Sequence, residues 1–125
     1  MKTDFKLTES EEKLAEIIWR EAPITSPSLV ALAKRELAWE KSTTYTMLKK
    51  LGDKGVVRND NALVTVLLTR DELATRQSRD YIIKFFGGSL PNFITSFIGH
   101  ANLTHEQANE IMKMIDEFVE RGGNR

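Results

Sequence analysis

Trp39-Glu-Lys-Ser-Thr-Thr-Tyr-Thr-Met-Leu-Lys-Lys-Leu-Gly-Asp-Lys-Gly55 is the stretch on which the reading of this chain turns. Thr44, Met47, Leu48 and Leu51 fall on one stripe of a short helix. The opposite face carries hydroxyls and ammoniums: Ser42, Thr43, Tyr45, Thr46, Lys49 and Lys50. Short hydrogen-bonding side chains near a helix N-terminus reach base edges, while lysines neutralise phosphates. Ser42 is expected to cap this helix and Gly55 to end it in the left-handed conformation. Val56-Val57-Arg58 and Leu63 to Leu68 then read as two strands around the polar turn Asn59-Asp60-Asn61.

Two helices precede this segment. Thr8 and Glu11 form a capping box ahead of Leu14, Ile17 and Ile18, and Ala22-Pro23 ends that run. Thr25-Ser26-Pro27 opens the second, with Leu29, Leu32, Ala33 and Leu37 on its apolar face. Helix, helix, basic helix and hairpin is the order of a winged helix-turn-helix, a mainly α fold of three helices plus a two- or three-stranded wing. The residues expected to meet double-stranded DNA are Lys41, Ser42, Thr43, Tyr45, Thr46, Lys49, Lys50 and Arg58. The plain alternative for the lysine face is an ordinary solvated surface; the hydroxyl-rich first turn and the flanking elements weigh for DNA. Tyr45 either stacks on a sugar, reaches a base, or only covers the joint between helix and wing.

Downstream, Thr69-Arg-Asp-Glu72 is a second capping box and opens a helix to about Phe86, broken by Gly87-Gly88. A short helix over about Pro91 to Ile98 and a last one opened by Thr104-His-Glu-Gln107 follow, with Gly99 separating them. The chain therefore divides into residues 6–69, the winged helix, and 70–122, a helical segment with few residues for a core of its own. Such pieces usually bury their apolar faces against something else, often another copy. Leu73, Tyr81, Phe85, Phe93, Phe97, Ile111, Ile115 and Phe118 are the expected dimer surface. The alternative is that this segment folds back on the first as one monomeric core.

Composition sets the bounds. The 125 residues, 41% hydrophobic and 29% charged, are ordinary for a globular chain. No cysteine is present, which removes disulfides, thiolate nucleophiles and thiolate metal sites. His100 and His105 are five apart across a helix start, so no metal site is expected, and no cofactor. No phosphate loop, activated nucleophile or paired-carboxylate setting points to an enzyme. Trp19 and Trp39 read as core or joint residues. Neither a secretory leader at Met1–Lys6 nor an apolar run long enough to span a bilayer is visible, which suits a cytoplasmic protein. The formal net charge is zero, but it is polarised. Residues 39–58 hold five bases against two acids, and residues 100–125 hold five acids against three bases. The basic middle favours DNA; the neutral total and the acidic wing tip favour a rival, a winged-helix module that binds protein without reading DNA sequence.

The chain also resembles the penicillinase-repressor family over most of its length. The match is carried by Leu7-Thr-Glu-Ser-Glu11 with Ile17-Ile-Trp19, and by Trp39 with Ser42 to Leu51 and Lys54-Gly55. Thr69-Arg-Asp-Glu-Leu73 with Phe85-Phe-Gly-Gly-Ser89, and Leu103-Thr-His-Glu-Gln107, complete it. The ordered set is more specific than any piece. The resemblance implies a homodimeric transcriptional repressor whose N-terminal winged helices bind a palindromic operator and whose C-terminal helices form the dimer. In one branch of the family a regulatory protease releases the operator by cutting the dimer segment before a Phe, typically at Asn-Phe. The corresponding bond here is Ser96-Phe97, with Asn92-Phe93 nearby. In a copper-responsive branch a Cys-rich C-terminus binds Cu(I); this chain ends Arg121-Gly-Gly-Asn-Arg125 without Cys. Its wing tip is also shorter and more acidic than the family's usual Gly- and Arg-containing one.

Overall fold

A computed structural model describes residues 5–100 and 102–123; the reading of the extreme N-terminus rests partly on residues outside that range. The elements are α1 (Glu9–Glu21), β1 (Ile24–Thr25), α2 (Ser26–Leu37), α3 (Lys41–Asp53), β2 (Val57–Asp60), β3 (Leu63–Val66), α4 (Arg70–Phe86), α5 (Leu90–His100) and α6 (His105–Glu120). Two compact units divide the chain, the first ending at Tyr81 and the second beginning at Ile82. The mainly helical winged-helix architecture expected from the sequence is the one observed.

Hydroxyl side chains start nearly every helix. Thr8 and Glu11 exchange hydrogen bonds across the first turn of α1, and the same reciprocal box recurs at Thr69 with Glu72 and at Thr104 with Gln107. Thr25 caps α2 with a proline just inside it, and Ser89 accepts from the Asn92 N–H at the start of α5. Helix α3 is the exception. Its N-cap is Glu40, which makes no side-chain capping bond. Ser42, expected there, lies inside the first turn. The cause is upstream: Ala38 closes α2 in the left-handed region at φ 58° and Trp39 packs on the core, so the chain becomes helical at Lys41.

The sheet has the order β1-β3-β2 and is antiparallel. Val57 faces Val66 and Arg58 faces Thr65 across the wing, while β1 sets Ile24 against Val64. Asn61 and Ala62, both at positive φ (50° and 63°), make a two-residue turn whose twist matches the strands. Asn59 and Asp60, expected in that turn, instead extend β2.

Leu14, Ile18, Leu29, Leu51, Val56 and Val64 are fully buried at the centre of the first unit. Each such side chain removed from water contributes roughly 1.5–3 kcal/mol. Leu73 of α4 joins them at 3% exposure, which corrects its assignment to a dimer surface. The first turns of α4 are held to this unit: Arg70 pairs with Glu16, and the Gln77 amide donates to the Phe5 carbonyl at 2.8 Å.

One carboxylate is buried with this core. Glu11 is 1% exposed and accepts at 2.7 Å from both the Thr8 N–H and Lys54 Nζ, which also donates to the Lys6 carbonyl. Burial pushes the Glu11 carboxyl up, but the bonds from Lys54 and Thr8 outweigh it and hold it below the ordinary carboxylate value. A folded value below the unfolded one stabilises the fold at neutral pH, and that contribution is lost as pH falls through the folded value. Lys54→Met, which strands the carboxylate, is expected to cost about 3 kcal/mol at neutral pH. The cost should shrink in acid as Glu11 takes a proton. Urea unfolding at both pH values checks this, and a neutral-pH loss below about 1 kcal/mol would class the pair with ordinary surface ion pairs.

In the second unit, Phe86 meets Phe93 edge to face at 5.4 Å, and Phe93 lies 6.0 Å from Phe97. Gly87 and Gly88 take left-handed φ between α4 and α5. Helix α5 runs through Gly99 to His100 rather than stopping at Ile98, because Gly99 keeps helical geometry. None of the described residues from Ile82 onward is buried.

Candidate nucleic-acid interface

Helix α3 divides cleanly. Thr44, Leu48 and Leu51 are buried, whereas Lys41, Ser42, Thr43, Thr46, Lys49 and Lys50 are all exposed. Ser42, Thr46, Lys49 and Asp53 follow one another at steps of four, three and four, with Thr43 and Lys50 beside them, so the six share one face. Packing on the other side holds that face on a rigid element. Asp53, counted in the sequence only as one of the two acids of residues 39–58, pairs with Lys49 at 3.3 Å across one turn. Both partners are largely exposed, so the pair is weak and Lys49 is available to another anion. Lys54, one of the five bases in the charge balance of residues 39–58, is held by Glu11.

Tyr45 sits at the border of this face and is half-buried. Its hydroxyl donates to Ser26 Oγ at 3.3 Å, and Lys41 Nζ lies 5.9 Å from the centre of its ring. Ser26 is itself buried, and its backbone N–H donates to the Ala62 carbonyl at the wing tip, 2.8 Å away. Ser26 thus ties α3, the start of α2 and the wing together. The sequence held only half of this signal, since Ser26 reads there as part of a helix start. Arg58 is exposed on β2, immediately after the turn that follows α3.

In the second unit the apolar residues singled out from sequence are exposed or half-buried. Phe85, Phe97, Ile111, Ile115 and Phe118 are each 43–60% exposed, and Phe93 is half-buried. Tyr81, the last residue of the first unit, is also exposed. The Ser96-Phe97 bond lies inside α5, and Asn92-Phe93 lies in its first turn. Among the described residues no cluster of His, Asp and Glu could hold a metal ion, and no helix is long and apolar enough to cross a membrane.

Residues 7–117 match the family model described as penicillinase repressor. The penicillinase repressor of Bacillus licheniformis is similar throughout, 21% identical over 125 positions that cover 97% of this chain and 98% of that protein.

Proposed function

The chain belongs to the penicillinase repressor family, a family of transcriptional regulators rather than enzymes, and from that premise we propose that it is a sequence-specific DNA-binding repressor acting as a homodimer on a palindromic operator. The observation that carries this reading is the outward face of α3. Ser42, Thr43 and Thr46 offer short donors and acceptors to base edges, and Lys49 and Lys50 offer charge to phosphate, all on a helix whose other face is locked in a core. The start of α3 supports it. This helix has a lysine at its first position and no acid in its first turn, and its acidic N-cap Glu40 makes no capping bond, so its first N–H groups have no side-chain partner. A cation at the positive end of a helix is locally unfavourable, and a phosphate placed there would offset both the charge and the unpaired N–H groups. Local rules are broken most often where function requires it.

The dimer is supported by the second unit, whose described residues include none that is buried although Phe97, Ile111, Ile115 and Phe118 are large and apolar. An identical patch on a second copy is self-complementary under two-fold symmetry. Two α3 helices ~34 Å apart would then read the two halves of an inverted repeat. Repression follows from occupancy of the promoter in the cytoplasm. Cleavage at Ser96-Phe97 by a regulatory protease, or another signal acting on this segment, would uncouple the half-sites.

Selection from a pool of random duplexes tests the reading. Inverted repeats are expected to be enriched, and a pool that stays random would favour the protein-binding alternative. Thr43→Ala and Thr46→Val are then expected to cost about 1–3 kcal/mol each on the selected site and much less on random duplex. Equal losses on both would show that these residues position the helix and read nothing.

A further inference from the structure

A small cavity lies between α1 and the first turns of α4, within the first unit and away from the outward face of α3. Its volume is about 210 Å³, with Leu7, Leu73 and Ala74 as its apolar lining and the Trp19 indole as one wall. The indole N–H donates to the Leu68 carbonyl at 2.9 Å, so the ring is held in place. Two carboxylates, Glu12 and Glu16, also line it. Arg70 already occupies part of this site. Its guanidinium carbon stands 5.1 Å from the centre of the Trp19 ring, and its nitrogens donate to both Glu16 oxygens, one at 2.8 Å. Glu12 makes no side-chain hydrogen bond or ion pair among the described residues. The site therefore holds one more negative charge than positive, beside an oriented indole that attracts cations.

We propose that this cavity binds a small amphipathic organic cation, a guanidinium or primary ammonium carried on a short hydrocarbon body. The head group would engage Glu12 and Glu16 over the face of Trp19, and the body would lie on Leu7, Leu73 and Ala74. Arg70, in the wall of this cavity, shows that a guanidinium can stack on Trp19 while pairing with Glu16. Its pair with Glu16 is more than half exposed on the arginine side, and such pairs exchange readily. The volume falls below the ~300 Å³ at which sites for drug-sized ligands begin, so the ligand is small. Occupancy would part Arg70 from Glu16 at the first residue of α4.

The test is a titration of the full-length ¹⁵N-labelled protein with n-butylguanidinium, following the indole N–H signals of Trp19 and Trp39, assigned with Trp39→Phe. A saturable shift confined to Trp19 is expected, weakened severalfold by Glu12→Gln and absent with the neutral n-butylurea. Arg70→Ala, which removes the internal competitor, is expected to tighten binding by about tenfold if the arginine fills the site nine-tenths of the time. A Trp19 signal that does not move in the wild-type protein or in Arg70→Ala, or that responds equally to the urea, overturns the proposal. Glu12 is exposed and makes no side-chain contact that folding requires, so wild type and Glu12→Gln decide the matter even if Arg70→Ala disturbs α4. None of these readouts involves DNA, so the outcome is independent of the proposed repressor function.

Discussion

Ile115→Glu is expected to turn a dimeric protein into a monomer and to weaken operator binding by about 100-fold or more, because linked binding modules gain 10²–10⁴ over either alone. Ile115 is 55% exposed in a single chain, so the substitution removes little from the fold of one copy. In the proposed dimer the same position is covered, and two-fold symmetry introduces two carboxylates into one apolar surface. Burying an unpaired charge is far more costly than the transfer of an isoleucine, so association is the step that fails. Affinity for an isolated half-site should stay the same, because the first unit keeps its core and the outward face of α3. Sedimentation of both proteins, with titrations on the full palindrome and on one half, separates these effects. A monomeric wild-type protein, or an Ile115→Glu variant that binds the palindrome as tightly as wild type, removes the coupling on which the occupancy mechanism rests.

Much of this architecture was legible because the chain announces its helix starts chemically. Thr8 with Glu11, Thr69 with Glu72 and Thr104 with Gln107 each pair a hydroxyl with a side chain three residues on, and all three form the reciprocal bonds that the spacing implies. The buried stripe of α3 was legible for a similar reason, as periodicity reports which face packs. What escaped depends on contacts remote in sequence. β1 is two residues long, too short to alternate, and exists only because β3 pairs with it. Ser42 looks like a cap, yet the left-handed turn at Ala38 moves the helix start to Lys41. Leu73 lies on an apolar stripe like its neighbours downstream, and nothing local reveals that it joins the buried core of the first unit. Lys54 illustrates the same limit for charge: the acid beside it in sequence is Asp53, while the Glu11 that holds it is 43 positions away. On the candidate DNA face the residue types could be read directly, but the link from Tyr45 through Ser26 to the wing could not.

The double substitution Lys49→Ala with Lys50→Ala is expected to change how DNA binding depends on salt more than any other pair on the α3 face. Each phosphate neutralised by a lysine releases condensed counterions, so log affinity falls against log salt with a slope of about 0.9 per phosphate. Removing two such lysines from each protomer of a dimer flattens that slope by roughly 3.6 units in total. Lys49 is paired with Asp53 at 3.3 Å in the free protein, which raises the question of whether it is available at all. Both side chains are more than two-thirds exposed, so that pair contributes at most about 1 kcal/mol and a phosphate can replace the carboxylate. Asp53→Asn should accordingly strengthen binding slightly, by removing an acid from beside the proposed phosphate, and leave the slope almost unchanged. Because phosphates are the same on every duplex, the loss from the double variant should be equal on selected and random DNA, unlike that of Thr46→Val. Titrations across a range of salt concentrations on both duplexes make the measurement. An unchanged slope would take Lys49 and Lys50 off the DNA, leaving the face of α3 an ordinary solvated surface and the neutral total charge of the chain as the better guide to its partners.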